Sequence, residues 1–269
     1  MKLGFIGGGN MAAAMIGGLL NKGFLAGDIR VAEPVAERRA WLSAEFAVAV
    51  EESAAECLNV DVLVLAVKPQ QLSALLRGLP PLGKDCLVLS IAAGVRAGDI
   101  ARWLGGHGAV VRAMPNTPAL VGAGVAGLFA LPGVSAAQRS QAGQILEAVG
   151  LALWVEEESL IDAVTAVSGS GPAYVFLFIE ALEQAGVDLG LPPETARLLT
   201  LQTFFGAAAL AIKDQSHPAE LRARVTSKGG TTERGILALE EGGVRYAIGL
   251  AARAAAERAR EMGDLLGQD

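Results

Sequence analysis

Two cysteines and two histidines are all that the 269 residues contain of the side chains that make disulfides and His/Cys metal clusters. Cys57 and Cys86 are too few for a disulfide framework, and with His107 and His217 they do not make a His/Cys metal cluster. Both read as small core residues in a reducing compartment. Positive charge is also scarce. The chain has 22 Lys and Arg against 28 Asp and Glu, a net charge of −6, and an isoelectric point near 5.1. Gripping a phosphate backbone needs clustered cations, so nucleic acid is not an expected partner. Nor is there a run suited to a bilayer. The stretch 198–212 is interrupted by Thr200, Gln202 and Thr203 and is too short and too polar to span one. The apolar N-terminus imitates a signal peptide, but it carries Asn10 and a telling glycine spacing, with no persuasive cleavage site. The chain reads as cytoplasmic, with no membrane partner.

What is present is mostly apolar. Hydrophobic residues make up 52% of the chain and charged ones 19%, and mean hydropathy is +0.43. Sizeable cores can form, and apolar surface is left over on a folded monomer. An oligomer is the simplest way to bury it. In the first half, LGFIG (3–7), IRVAEP (29–34), DVLVLAVKP (61–69), LVLSIAAG (87–94) and AVVRAMPNTP (109–118) read as strands, and 11–23 reads as the first helix. This alternation predicts a parallel sheet with helices on both faces. From about Ser135, Ala, Leu and Glu dominate, and Ser135, Ser159, Pro192 and Pro218 signal helix starts. The expected division is an α/β domain over residues 1–159 and an all-α C-terminal domain over 160–269.

Gly7-Gly8-Gly9-Asn10-Met11-Ala12 lies between the first strand and the first helix. It satisfies the G-x-G-x-x-A dinucleotide fingerprint: Gly7 for the tight turn, Gly9 for close approach of a pyrophosphate, and Ala12 for close helix packing. The helix N-terminus then faces the phosphates. The N-terminal domain is therefore expected to be Rossmann-like and dinucleotide-binding. Glu33 ends the second strand, where an acidic residue accepts from the adenine ribose 2′-hydroxyl, which favours NAD. Arg38 and Arg39 follow, and either reach a 2′-phosphate or form a solvated helix face. Lys68, fixed ahead of Pro69, and Asn116 with Thr117 in MPNTP sit at further strand ends, where this fold binds ligands. Lys68 suits a ribose or phosphate, and the short polar groups of MPNTP suit hydrogen bonding near a nicotinamide. The densest cluster of small donors is RVTSKGGTTERG (224–235). Its Gly229 and Gly230 expose successive amides as an anion nest ahead of a helix start. Thr231 or Thr232 equally reads as the N-cap of that helix, and the two uses are compatible.

The fingerprint, AVKP (66–69), SIAAG (90–94), MPNTP (114–118), SGSGPAY (168–174) and PAELRARVTSKGGTTERGILALE (218–240) together resemble the pyrroline-5-carboxylate reductase family over essentially the whole chain. The resemblance implies NAD(P)H-dependent hydride transfer to the C=N carbon of 1-pyrroline-5-carboxylate, giving L-proline in the last step of its biosynthesis. It implies cofactor contacts at Gly7, Gly9, Asn10, Met11, Glu33, Ser53, Ala66, Val67, Lys68, Pro69, Ala92, Ala93 and Asn116. NADP is the expected cofactor, and Glu33 admits NAD. For the small-molecule substrate it implies a carboxylate cradle of Ser227, Gly229, Gly230 and Thr231, with Glu158 bordering the pocket and Thr232 at the ring nitrogen as the catalytic residue. The run Glu156 to Glu158 equally reads as a solvated helix start.

Such chemistry needs orientation and one proton donor more than acid–base machinery, which fits a chain with two histidines; the resemblance gives His217 no role. The helical domain is implied to be a substrate and dimerisation domain, with homodimers assembling into a decamer. Lys228 stands where the family usually has proline. Glu33 and Ser53 stand where members preferring NADPH have a small polar residue and often an asparagine, so NADH is expected to be used at least comparably. A β-hydroxyacid dehydrogenase of the same plan would need a catalytic lysine in the helical domain. Lys213 and Lys228, the lysines after residue 84, do not fill that role. A binding protein that had lost catalysis is not expected to keep Thr232 beside an intact Gly-Gly pair.

Overall fold

Leu3 to Ile6 is buried at every position, as a strand covered on both faces of a parallel sheet must be. In the computed structural model, which describes residues 1–268, this is β1 (Leu3–Ile6). The other strands in chain order are β2 (Ile29–Ala32), β3 (Ala49–Glu51), β4 (Val62–Leu65), β5 (Leu87–Ser90), β6 (Val110–Met114), β7 (Gly124–Ala130) and β8 (Gly150–Trp154). They form one sheet in the order β3-β2-β1-β4-β5-β6-β7-β8. The direction of winding reverses between β1 and β4, the switch point where a ligand crevice opens at the strand ends.

Alternate side chains leave the sheet on opposite faces. Leu3, Phe5, Val62 and Val64 join Met15, Ile16 and Leu19 of α1 (Asn10–Asn21) in one core. Ile6, Leu63 and Leu65 join the other core, with Leu72 and Leu76 of α3 (Pro69–Arg77) and Ile100 and Trp103 of α4 (Ala97–Trp103). Between these helices in the chain lies α2 (Ala36–Phe46), and α5 (Ala136–Glu147) begins at a capping box made by Ser135 and Gln138.

The sheet is not wholly parallel. β7 runs antiparallel to β6 and parallel to β8. Residues 115–123 are too short a connection for a helical crossover, so the chain turns back on itself through a 3₁₀ turn, Thr117–Val121. β3, β7 and β8 are three strands that the apolar pattern does not announce.

After α6 (Leu160–Val164) a π-helical turn, Thr165–Gly169, leads into α7 (Gly171–Asp188). Then follow α8 (Pro193–Lys213), α9 (Pro218–Arg224), α10 (Thr231–Glu241) and α11 (Val244–Leu266). The chain divides into two compact units, one holding residues 1–170 and 252 onward, the other residues 171–251. Where the sequence reading divides the chain at 160, α6 and the second half of α11 stay with the sheet. A Cβ on Gly127 of β7 would lie 2.7 Å from both methyl carbons of Val164 in α6. Near the C-terminus, Met262 covers Gly94, Asp264 pairs with Arg96, and the Gly267 carbonyl accepts from Arg102 at 2.8 Å.

In the second unit, α7 and α8 pack through Gly186 against Ala196, with an ion pair of 3.6 Å between Glu183 and Arg197. Their other faces are bare: Phe176, Leu177, Leu198, Phe205 and Ile212 are all exposed on the single chain. Residues 160–188 and Pro193–Lys213 are long and apolar enough to cross a membrane by length and composition. The helix around 198–212 is thus longer than its apolar stretch foretells. Glu180 and Glu183 sit within α7, where a carboxylate is costly in lipid.

Candidate functional site

The carboxyl ends of β1, β2, β4, β5 and β6 carry the polar and glycine-rich segments of the first unit. Gly7 leaves β1 with φ +99°, donates to the Ala32 carbonyl at 2.8 Å, and has no room for a Cβ, which would lie 2.7 Å from the Ala66 carbonyl oxygen. Gly9 differs, because a Cβ there would meet nothing within 4 Å. The space over Gly9 is therefore open to a ligand. Gly9 caps α1, and the first helical bond runs from Ala13 N to Gly9 O. The amides of Asn10, Met11 and Ala12 are left without intrahelical partners at the positive end of the helix. Open space and outward amides fit a pyrophosphate.

Glu33 is buried at 9% exposure. Its Oε2 accepts from Gly8 N and its Oε1 from Val35 N, both at 3.0 Å. The arginines of α2 do not form a solvated face. Arg38 Nε donates to the Gly8 carbonyl at 2.6 Å, and its guanidinium lies 4.1 Å from the Trp41 ring. Arg39 donates to the carbonyls of Glu33 and Pro34, each at 2.8 Å. Ser53 is exposed and caps a 3₁₀ turn, accepting from Ala55 N at 3.3 Å.

Further along this edge, Ala66 and Val67 are half-buried and Lys68 is exposed in an extended conformation at the N-cap of α3, with Pro69 first in the helix. Ala92 is buried and donates to Ser90 Oγ at 3.3 Å; Ala93 is half-buried. Asn116 is buried, and both ends of its amide serve the fold. Its Oδ1 accepts from Val125 N at 2.9 Å and its Nδ2 donates to the Ser168 carbonyl at 3.2 Å. It ties the end of β6 to the π-helical turn, a bulge type often found at functional sites.

Arg112 is a buried charge that sequence reasoning missed. Its side chain, 4% exposed, pairs with Glu158 at 3.2 Å and Asp162 at 3.3 Å. Glu158 also accepts from Ala97 N at 2.7 Å, at the first residue of α4. The run 156–158 is thus no mere solvated start, since Glu158 joins three elements. A lone arginine inside the apolar strand VVRAM was the available signal. The two cysteines supply no nucleophile, because burial pushes each thiol up to about 11.

In the second unit, α9 ends at Arg224 and the chain makes a tight turn. Gly230 N donates to Ser227 O at 3.0 Å, and Gly229 has φ +72°. A reverse turn with positive φ only at its third residue is type II. Gly230, not either threonine, is the N-cap of α10, so the reading of Thr231 or Thr232 as that cap does not hold. Thr231 and Thr232 occupy the first turn instead, exposed, and the first helical bond comes from Arg234 N to Gly230 O. Glu233 reaches back to accept from Gly229 N at 2.7 Å, so both glycine amides are engaged within the turn and the expected nest of free Gly229 and Gly230 amides is not formed; the free amides are those of the first turn of α10. Ser227 and Lys228 are exposed. His217 caps α9, its Nδ1 accepting from Ala219 N at 3.2 Å.

Residues 158–262 match the family model described as pyrroline-5-carboxylate reductase dimerisation, and residues 2–94 match one described as NADP oxidoreductase coenzyme F420-dependent. A pyrroline-5-carboxylate reductase of Pseudomonas aeruginosa is 51% identical over 99% of this chain and 98% of its own. The structure of a pyrroline-5-carboxylate reductase from Coxiella burnetii superposes with a TM-score of 0.91 at 42% identity, covering 97% of this chain and 98% of that one. The Plasmodium falciparum pyrroline carboxylate reductase structure with NADP bound gives 0.88 at 31% identity, covering 98% of each. Fold, ordered motifs and identity over nearly the full length agree: the chain belongs to the pyrroline-5-carboxylate reductase family.

Proposed function

We propose that the chain reduces 1-pyrroline-5-carboxylate to L-proline with NAD(P)H, the last step of proline biosynthesis. The observation that carries this reading is the turn at 227–230 running into α10, which presents a hydroxyl, two glycines and two exposed threonines at a helix N-terminus. Such a terminus favours a small carboxylate. The Ser227 and Thr231 hydroxyls and the free amides that open α10 hold the substrate carboxylate, Gly229 and Gly230 shape the turn that places them, and the Thr232 hydroxyl hydrogen-bonds the ring nitrogen and steadies its proton. The reduced nicotinamide, when bound, supplies the hydride to the C=N carbon. Gly7, Gly9, Asn10 and Met11 receive the pyrophosphate. Ser53 and Glu33 flank the adenosine, and Ala66, Val67, Lys68, Pro69, Ala92 and Ala93 line the strand ends toward the nicotinamide. Asn116 and Glu158 act as positioning residues through the π-helical turn and the start of α4. The enzyme works in the cytoplasm, as homodimers assembled into a decamer.

The test is oxidation of NADH or NADPH in the presence of 1-pyrroline-5-carboxylate, repeated with Thr232→Ala. Loss of one positioned donor lowers kcat by about 10²-fold. Unchanged turnover removes Thr232 from the mechanism, and no oxidation by the wild type with either dinucleotide overturns the reading.

A further inference from the structure

The Gly8 peptide is gripped at both ends by the segment that follows β2. Its N–H donates to Glu33 Oε2 at 3.0 Å, and its carbonyl accepts from Arg38 Nε at 2.6 Å. Glu33 has no freedom to turn away, because Val35 N holds its other oxygen at 3.0 Å and the side chain is nine-tenths buried. Arg39 is bound to two carbonyls and, at 3.3 Å, to Glu52. Arg38 is stacked on Trp41, and its Nη2 is buried with no partner among the described residues. One end of β2 therefore holds a fixed carboxylate and a fixed guanidinium whose buried Nη2 is unpaired among the described residues.

We propose that this pair makes the adenosine subsite selective for a ribose diol over a 2′-phosphate, so that the chain binds NADH more tightly than NADPH. The inference rests on the reading of the first unit as a dinucleotide site. Each Glu33 oxygen engaged by one amide keeps a lone pair for a 2′-hydroxyl, whereas a phosphate at that place meets a carboxylate that cannot withdraw. Arg38 does not reverse the preference while Glu33 stands beside it. Without Glu33, the unpaired Nη2 is the donor that a 2′-phosphate takes.

The experiment is titration of the purified protein with NADH and with NADPH, without substrate, read by fluorescence of the bound reduced nicotinamide. The wild type is expected to bind NADH at least about tenfold more tightly. Glu33→Ser is expected to weaken NADH and tighten NADPH until the order reverses, and adding Arg38→Ala is expected to abolish the gain. Glu33→Gln keeps an acceptor for one amide, turns an NH2 toward the other and removes the charge, so it loses discrimination and lowers the melting temperature, while the fold is retained. Equal affinities in the wild type, tighter NADPH binding, or parallel weakening of both dinucleotides by Glu33→Ser overturns the proposal. Reduction of pyrroline-5-carboxylate by either dinucleotide is scored separately, so a failed preference leaves the assigned reaction standing.

Discussion

Lys228 occupies the second position of the type II turn 227–230, where the backbone sits near φ of about −60° and proline is the favoured residue. Its side chain is exposed and its own amide makes no hydrogen bond among the described residues. Lys228→Pro therefore removes no bond and restricts the unfolded chain, and is expected to raise stability by about 0.5–1 kcal/mol in a denaturant titration. A fall in stability would show that residue 228 does not hold the backbone conformation that proline requires. The same residue shows how far single positions were legible. The motif marked Gly229 and Gly230 as a pair, but only backbone angles show that they do different things. Gly229 supplies the positive φ, while a Cβ on Gly230 would lie 2.5 Å from Ser227 Oγ. Glu33 was legible by its place at the end of a strand; the fixing of Arg38 and Arg39 was not, because backbone carbonyls carry no sequence signal.

Arg112 works among elements. It joins β6 to the segment carrying Glu158 and to α6 through Asp162, and Glu158 in turn holds the start of α4. Replacing it leaves two partly buried carboxylates without their counter-charge. Arg112→Met is expected to cost about 3 kcal/mol of stability, measured by thermal or denaturant unfolding. Adding Glu158→Gln and Asp162→Asn is expected to recover part of it, and a single variant as stable as the wild type would rule out the strut. Its partners lie 46 and 50 positions along the chain, beyond the reach of local pattern. Elements followed the same rule. β1, β4 and β5 are continuous apolar runs and could be read directly. β8 could not: it pairs in register with β7 and leaves Leu151 and Leu153 exposed at the sheet edge, so its partner rather than its own pattern makes it a strand.

For the whole molecule, the surplus of apolar residues was legible as a number before it had a location. The structure puts it on α7 and α8, where Phe205 is 70% and Ile212 83% exposed on the single chain. The helices lie within residues 158–262, which match the family's dimerisation region, and the chain forms homo-oligomers through this unit. Phe205→Glu places a charge in that face and is expected to yield smaller species in sedimentation velocity, with turnover reduced in proportion. A wild type that sediments as a fully active monomer would contradict the assembly.

The passage of α11 from one unit into the other has a practical meaning for dissection. The chain leaves the sheet unit at residue 170 and re-enters it at 252, so the helical unit is an insertion tethered at both ends, and both termini belong to its host. A fragment stopped at residue 170 would lack Met262 over Gly94 and Asp264 on Arg96, and would uncover the very loop between β5 and α4. The dinucleotide domain is discontinuous: to isolate it, the last turns of the chain must be stitched back on.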